Sequence, residues 1–157
     1  MSRRLLVLLL VLLLVAVAIL ASGCGGGSTP SVQEFGQSVV TTRDRVDFAL
    51  ARTTRAQSKD ELLERMDEAA DAIDDAANDL EDVGAPEDFE SEGGKLADSL
   101  HQLAFDVQAT ADQIRQPGFD DLLTGTRGLS FESWDKVNLA LAGLIGKGIN
   151  VSLLQQH

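Results

Sequence analysis

Residues 58–80 read SKDELLERMDEAADAIDDAANDL, and this stretch decides the fold class. Leu62, Leu63, Met66, Ala69, Ala70, Ile73, Ala77 and Leu80 recur mostly three or four positions apart. That spacing gathers side chains on one face of a 3.6-residue helix, whereas a strand would split them between two faces. The intervening positions are mostly carboxylates, which suit a solvated outer face. Ser58-x-x-Glu61 forms a capping box, in which serine and glutamate each satisfy an end group of the backbone. Gly84 and Pro86 close the segment.

Three further segments carry the same period. The first opens at Pro30-Ser31 with a second capping box, Ser31-x-x-Glu34, and places Val32, Phe35, Val39, Val46, Ala49 and Leu50 on its stripe. Another begins after Pro86 and is clearest from Lys95. Its Leu96, Leu100, Leu103, Val107 and Ile114 keep a seven-residue rhythm with Thr110 in the remaining slot, and Pro117-Gly118 ends it. One short turn is expected over Asp120-Asp121-Leu122-Leu123. The last helix starts near Ser130 and carries Phe131, Trp134, Val137, Leu141, Leu144 and Ile145. Lys147 in its final turn complements the helix dipole. Gly148 followed by Ile149 fits a left-handed cap with an apolar follower that packs back. Residues 150–157 read as an irregular tail held by Leu153 and Leu154. The pattern predicts an all-α domain over residues 31–157, an up-down-up-down four-helix bundle.

The chain's start has a different character. Arg3 and Arg4 precede sixteen unbroken apolar residues, Leu5 to Leu20, followed by Ala21-Ser22-Gly23-Cys24 and then Gly-Gly-Gly-Ser-Thr-Pro. A basic region, an apolar region and small residues form the three parts of a secretion signal. Leu20-Ala-Ser-Gly-Cys24 resembles the lipobox of bacterial lipoproteins, although Ala21 stands where the strict pattern has leucine and Leu20 lies one residue further back. The resemblance implies a signal peptide over 1–23, cleavage between Gly23 and Cys24, diacylglycerol and palmitate-type acyl chains on Cys24, and a tether over 24–30. It also implies a lipid-anchored place on the extracytoplasmic face of the cell membrane. The alternative is an uncleaved anchor, but sixteen helical residues span only about 24 Å of a roughly 30 Å hydrocarbon layer. Outside residues 1–24 the chain is similar in composition to small helical lipoproteins of the actinobacterial type, and only Cys24 carries a role across.

Removal of 23 of the 157 residues leaves 134, the size of one domain with a real core. With Arg3 and Arg4 gone, 25 acidic residues face 11 basic ones, a net charge of −14. Such a surface repels nucleic acid, so no nucleic-acid partner is expected. The single Trp and the absence of Tyr also argue against a base-stacking platform. Cys24 is the only cysteine. Once acylated it leaves no thiol for a disulfide, a metal or a nucleophile.

The charge is unevenly placed. Residues 60–92 hold fifteen acids and one base, Arg65, whereas residues 43–59 hold five bases and two acids. One reading makes Asp67, Asp71, Asp74 and Asp75 an acidic docking face for a basic envelope protein or a cationic ligand. The plainer reading is a solvated face beside a basic neighbour, as charge runs on helices usually are. Asp98-x-x-His101 resembles half of a di-metal carboxylate motif, but its second half is missing and His101 flanks the apolar stripe, so neither metal nor cofactor is expected. Phe131 and Trp134, one turn apart, are core residues or the lining of a small apolar pocket. Ser99 and His101 point to different helix faces, and the glycines match no phosphate-binding loop. No catalytic residue is identified. The expected role is an interaction module of the cell envelope, with a ligand-binding lipoprotein, its pocket between helices, as the alternative.

Overall fold

The computed structural model describes residues 29–118 and 131–155. The signal segment 1–23, Gly23 and Cys24, the short turn at 120–123, Ser130 and His157 lie outside these residues. Among the described residues four α-helices make up the regular structure: α1 Val32–Thr53, α2 Lys59–Val83, α3 Glu90–Arg115 and α4 Glu132–Gly146, with one 3-10 turn, Glu87–Phe89, leading into α3. Among the described residues there is no strand. The described residues are thus all-helical in their regular structure, as the periodicity predicts.

Local chemistry explains where the helices start and stop. Ser31 forms the full capping box with Glu34: its hydroxyl accepts from the Glu34 amide, and its own amide donates to the Glu34 carboxylate at 2.9 Å. These bonds, the backbone one foremost, hold the Glu34 carboxyl below its ordinary value. The α2 box is built differently. Ser58 accepts from the Glu61 amide, but the Glu61 carboxylate reaches past it to the Gln57 amide and to Arg65. At the end of α4, Gly148 takes φ 96°, its amide donates to Ile145 and the Ile149 amide reaches back to Leu144. This is a complete Schellman cap, which only glycine enters cheaply.

The apolar faces converge on one core that includes Phe35, Val39, Leu62, Met66, Ile73, Leu96, Leu100, Leu103, Leu141 and Leu144. Contacts are strongest between successive helices: α1 with α2, α2 with α3, and α3 with α4. On α3 the expected heptad slips. Ala111, not Thr110, is buried in the fifth slot, and Thr110 instead bonds the Asp106 carbonyl. A straight helix drifts about 20° per heptad, so a seven-residue rhythm does not hold one face over this length. Val32, in the first turn of α1, and Ile145, next to the buried Leu144, are expected on their stripes but are about half exposed.

The last described residues are part of the core. Ile149 and Leu154 are buried, Leu153 is not, and the segment runs between α1 and α4. The Arg43 guanidinium donates to the Leu153 carbonyl, the Leu154 amide donates to Asn138, and the Gln155 amide donates to Asp47. Ile149 sits over Gly36 of α1, 3.5 Å from where a β-carbon would stand.

Candidate functional site

The acidic helix α2 divides its carboxylates among three directions. Toward α1, Arg45 bridges Asp75 and Asp79, and Arg52 pairs with Glu68. Toward α3, Asp67 meets Arg115 and Gln108, and Asp74 meets His101 at 2.7 Å. Outward stand Asp60, Glu64, Asp71 and Asp82, all exposed. The four residues read from the sequence as one docking face are therefore not equivalent. Asp67, Asp74 and Asp75 join neighbouring helices, and Asp71 alone of the four points away with no ion pair among the described residues. Of the basic run, Arg45 and Arg52 serve these pairs, whereas Arg43 turns to Asp44 and the Leu153 carbonyl. Each of the pairs is solvent-exposed, where an ion pair adds little to stability, so their main effect is to relieve repulsion within α2.

Along each helix pair the partners run in opposite sequence order. Arg45 pairs with Asp79 and Arg52 with Glu68; Arg115 pairs with Asp67 and His101 with Asp74. Asp67, with Asp112, also raises the Arg115 guanidinium above its ordinary value. His101 lies at the flank of the α3 stripe, a third exposed, with Nδ1 on Asp74 and Nε2 3.7 Å from Glu81. Among the described residues no group of three or more metal-ligating side chains converges, so Asp98 and His101 do not close a site with them.

Phe131 is buried at the residue preceding α4, and Trp134, whose amide donates to the Phe131 carbonyl, is partly buried against the same core. The structure places both at the N-terminal end of α4, packed rather than aimed at solvent.

Two features were not read from the sequence. Asp106 of α3 accepts from the Ser133 hydroxyl at 2.6 Å and from the Gln102 amide at 2.8 Å. Burial pushes its carboxyl up, but these bonds and one from the Ser133 backbone outweigh it and leave the group below its ordinary value. The second is a concavity of about 360 Å³ at the junction of α2 and α3, beside Gly84, Ala85 and Gly94, with Phe35, Leu80 and Ala97 buried beneath it and the exposed Glu81 and Glu90 on its rim. The signal for it is the Gly93-Gly94 pair, an unusual insertion in the first turns of a helix. Nearby, Lys147 donates to Glu92 and to the Asp88 carbonyl and stands 5.7 Å over the Phe89 ring. The Lys147 bond holds the Glu92 carboxyl low.

Compared with protein-family models, curated proteins and solved structures, the chain matches none.

Proposed function

We propose that this chain is a lipid-anchored helical interaction module on the extracytoplasmic face of the cell membrane. In this reading residues 1–23 are removed, Cys24 carries the acyl chains, residues 24–30 are the tether, and residues 31–157 form an up-down-up-down bundle. The observation that carries it is the string Leu20-Ala-Ser-Gly-Cys24 after Leu5–Leu20. Two features are in keeping with it. None of the helices among the described residues is long and apolar enough to cross a membrane, so an anchor for them would lie elsewhere in the chain. The capped start of α1 at Ser31 follows directly on Thr29-Pro30, the end of the tether.

Two or three acyl chains make attachment effectively permanent, since each buried methylene contributes about 0.8 kcal/mol and one chain alone binds marginally. The partner-facing surface is the outward ridge of α2, Asp60, Glu64, Asp71 and Asp82, and the partner is a basic protein of the envelope. Its binding weakens as salt rises.

The test is the intact mass of the detergent-extracted protein from its native host, beside a Cys24→Ala variant. A mass of residues 24–157 plus acyl chains, with the variant retaining residues 1–23, supports the reading. An unmodified full-length mass overturns the lipid anchor. Unchanged partner binding after Asp60, Glu64 and Asp71 are made Asn, Gln and Asn overturns the docking ridge. The second reading, a ligand-binding lipoprotein, is favoured by one observation, the α2–α3 concavity.

A further inference from the structure

The segment that follows α4 is held less by its own structure than by the two helices beside it. α1 and α4 barely touch one another, and residues 149–155 lie in the cleft between them as neither helix nor strand. Three side chains of the cleft read the segment's backbone in succession. Arg43 donates to the Leu153 carbonyl at 2.9 Å, Asn138 accepts from the Leu154 amide at 2.8 Å, and Asp47 accepts from the Gln155 amide at 2.9 Å. Among these ties the Leu154 side chain is buried in a socket, while Leu153 and Gln155 stay exposed. Main-chain bonds that give affinity and a pocket for one side chain that gives specificity are the parts of an extended-peptide site. The chain's own segment fills this one incompletely. A concavity of about 270 Å³ remains between α1 and the segment, walled by Val40, Arg43, Asp44, Asn150, Val151 and Ser152. Asp44, Asn150 and Ser152 are exposed there, and both valines partly so. The Arg43 side chain is only 11 % exposed; its terminal nitrogens serve Asp44 and Leu153, and its buried Nε has no partner among the described residues. A buried donor left unpaired is costly.

We propose that the α1–α4 cleft is a recognition groove for an extended, leucine-bearing segment of another protein, and that residues 150–155 occupy it in cis until displaced. The partner's leucine takes the Leu154 socket, and its backbone takes the bonds to Arg43, Asn138 and Asp47. Two places before that leucine, where this chain has Ser152, the partner carries a longer side chain with an acceptor oxygen. That side chain fills the concavity and supplies the acceptor that Arg43 lacks. A second copy of this chain would bring the same short Ser152 and leave the same void and the same orphan donor. Ile149 stays behind, because its amide belongs to the α4 cap. An intramolecular occupant acts at an effective concentration on the order of millimolar, so only a better-fitting segment displaces it. The groove is separate from the α2 ridge, and the inference holds whether or not Cys24 is acylated.

The test titrates the isotope-labelled full chain, held in a non-ionic maltoside, with unlabelled synthetic peptides and follows its amide signals. One peptide is the chain's own residues 150–155, the second is the same peptide with Ser152→Gln, and a scrambled peptide is the control. The proposal is supported when the Leu154 and Gln155 amides of the chain move to free positions while the Asn138 side-chain amide keeps its bound one. The Ser152→Gln peptide should bind roughly threefold to tenfold tighter than the natural one, the worth of one added hydrogen bond. Leu154→Ser in the chain loosens the cis occupant and should tighten both peptides about tenfold. Asn138→Ala added to it should weaken them roughly threefold to tenfold. Leu154→Ala is the milder companion variant, and thermal melts show which variants are folded. Shifts equal to those of the scrambled peptide, or no displacement in a folded Leu154 variant, overturn the proposal. Equal affinity of the natural and Ser152→Gln peptides overturns it too. A chain that sediments as a dimer with residues 150–155 exchanged assigns the groove to a second copy and overturns it as well.

Discussion

Asp106 on α3 accepts hydrogen bonds from both the hydroxyl and the backbone amide of Ser133, 27 residues further along the chain, and so caps the start of α4. Phe131, the residue at the helix boundary, has no side chain to offer the first free amides of α4. A carboxylate from another helix takes over that work and joins the two elements. Ser133 is wholly buried, so its hydroxyl has no water to fall back on. Ser133→Ala is expected to destabilise the fold by about 1–2 kcal/mol, and Asp106→Ala by a similar amount. The two losses should add only in part, because both remove the Ser133 hydroxyl bond while Asp106→Ala also removes those from Gln102 and the Ser133 backbone. Chemical denaturation of the two single variants and the double variant measures this.

The same carboxylate sets part of the acid response. Its folded-state value lies below 3.8, its ordinary one, so ionised Asp106 stabilises the fold above that pH. This contribution fades as pH falls through the folded-state value. The gap in stability between the natural chain and Asp106→Asn should therefore be widest near neutrality and narrow in acid below 3.8. Melts across an acid series check the sign; a gap that widens toward acid contradicts it.

Two adjacent glycines should respond in opposite directions. Gly94→Ala gains helix propensity with open space around it and should stabilise by about 0.5–1 kcal/mol. Gly93→Ala drives a methyl toward Ala85 and the immovable Phe35 ring, and should destabilise despite the same gain in propensity. Paired thermal melts decide both.

Salt should stabilise this chain. Residues 60–92 carry fifteen acids and one base, and the pairs to α1 and α3 leave Asp60, Glu64, Asp71 and Asp82 without a base. Screening weakens both attraction and repulsion, and here repulsion is in excess. The melting temperature should rise between low and physiological sodium chloride. A fall would mean that the ion pairs dominate.

What could be read from the sequence depended on how local the cause was. The Ser31–Glu34 box and the Gly148–Ile149 cap lie within a few residues, and both stand where the sequence puts them. The α2 stripe reads well because its carboxylates mark the opposite face; only Ala76 was missed, and Leu63 is half-buried. Thr110 was misplaced because a heptad count ignores the drift of a 3.6-residue helix. The split of Asp67, Asp74 and Asp75 between two neighbours was not legible, since it depends on which helices flank α2. Asp106 and Ser133 gave no sign of each other for the same reason. Leu154 was expected to hold the tail and does, but the three polar ties from Arg43, Asn138 and Asp47 follow only from the folded arrangement.

The seating of Ile149 and Leu154 between α1 and α4 also constrains the order in which the fold closes. Domains emerge and fold from the N-terminal end during synthesis, and here the segment that follows α4 supplies part of the interior. Until residues 149–154 are seated, α1 and α4 lack the segment that lies between them, and the side chains that Ile149 and Leu154 cover stay wet. The four helices can thus form before this side of the interior is shut, and a molecule in which the segment has come loose carries an open seam, a mark by which quality-control proteases can tell it from the closed one.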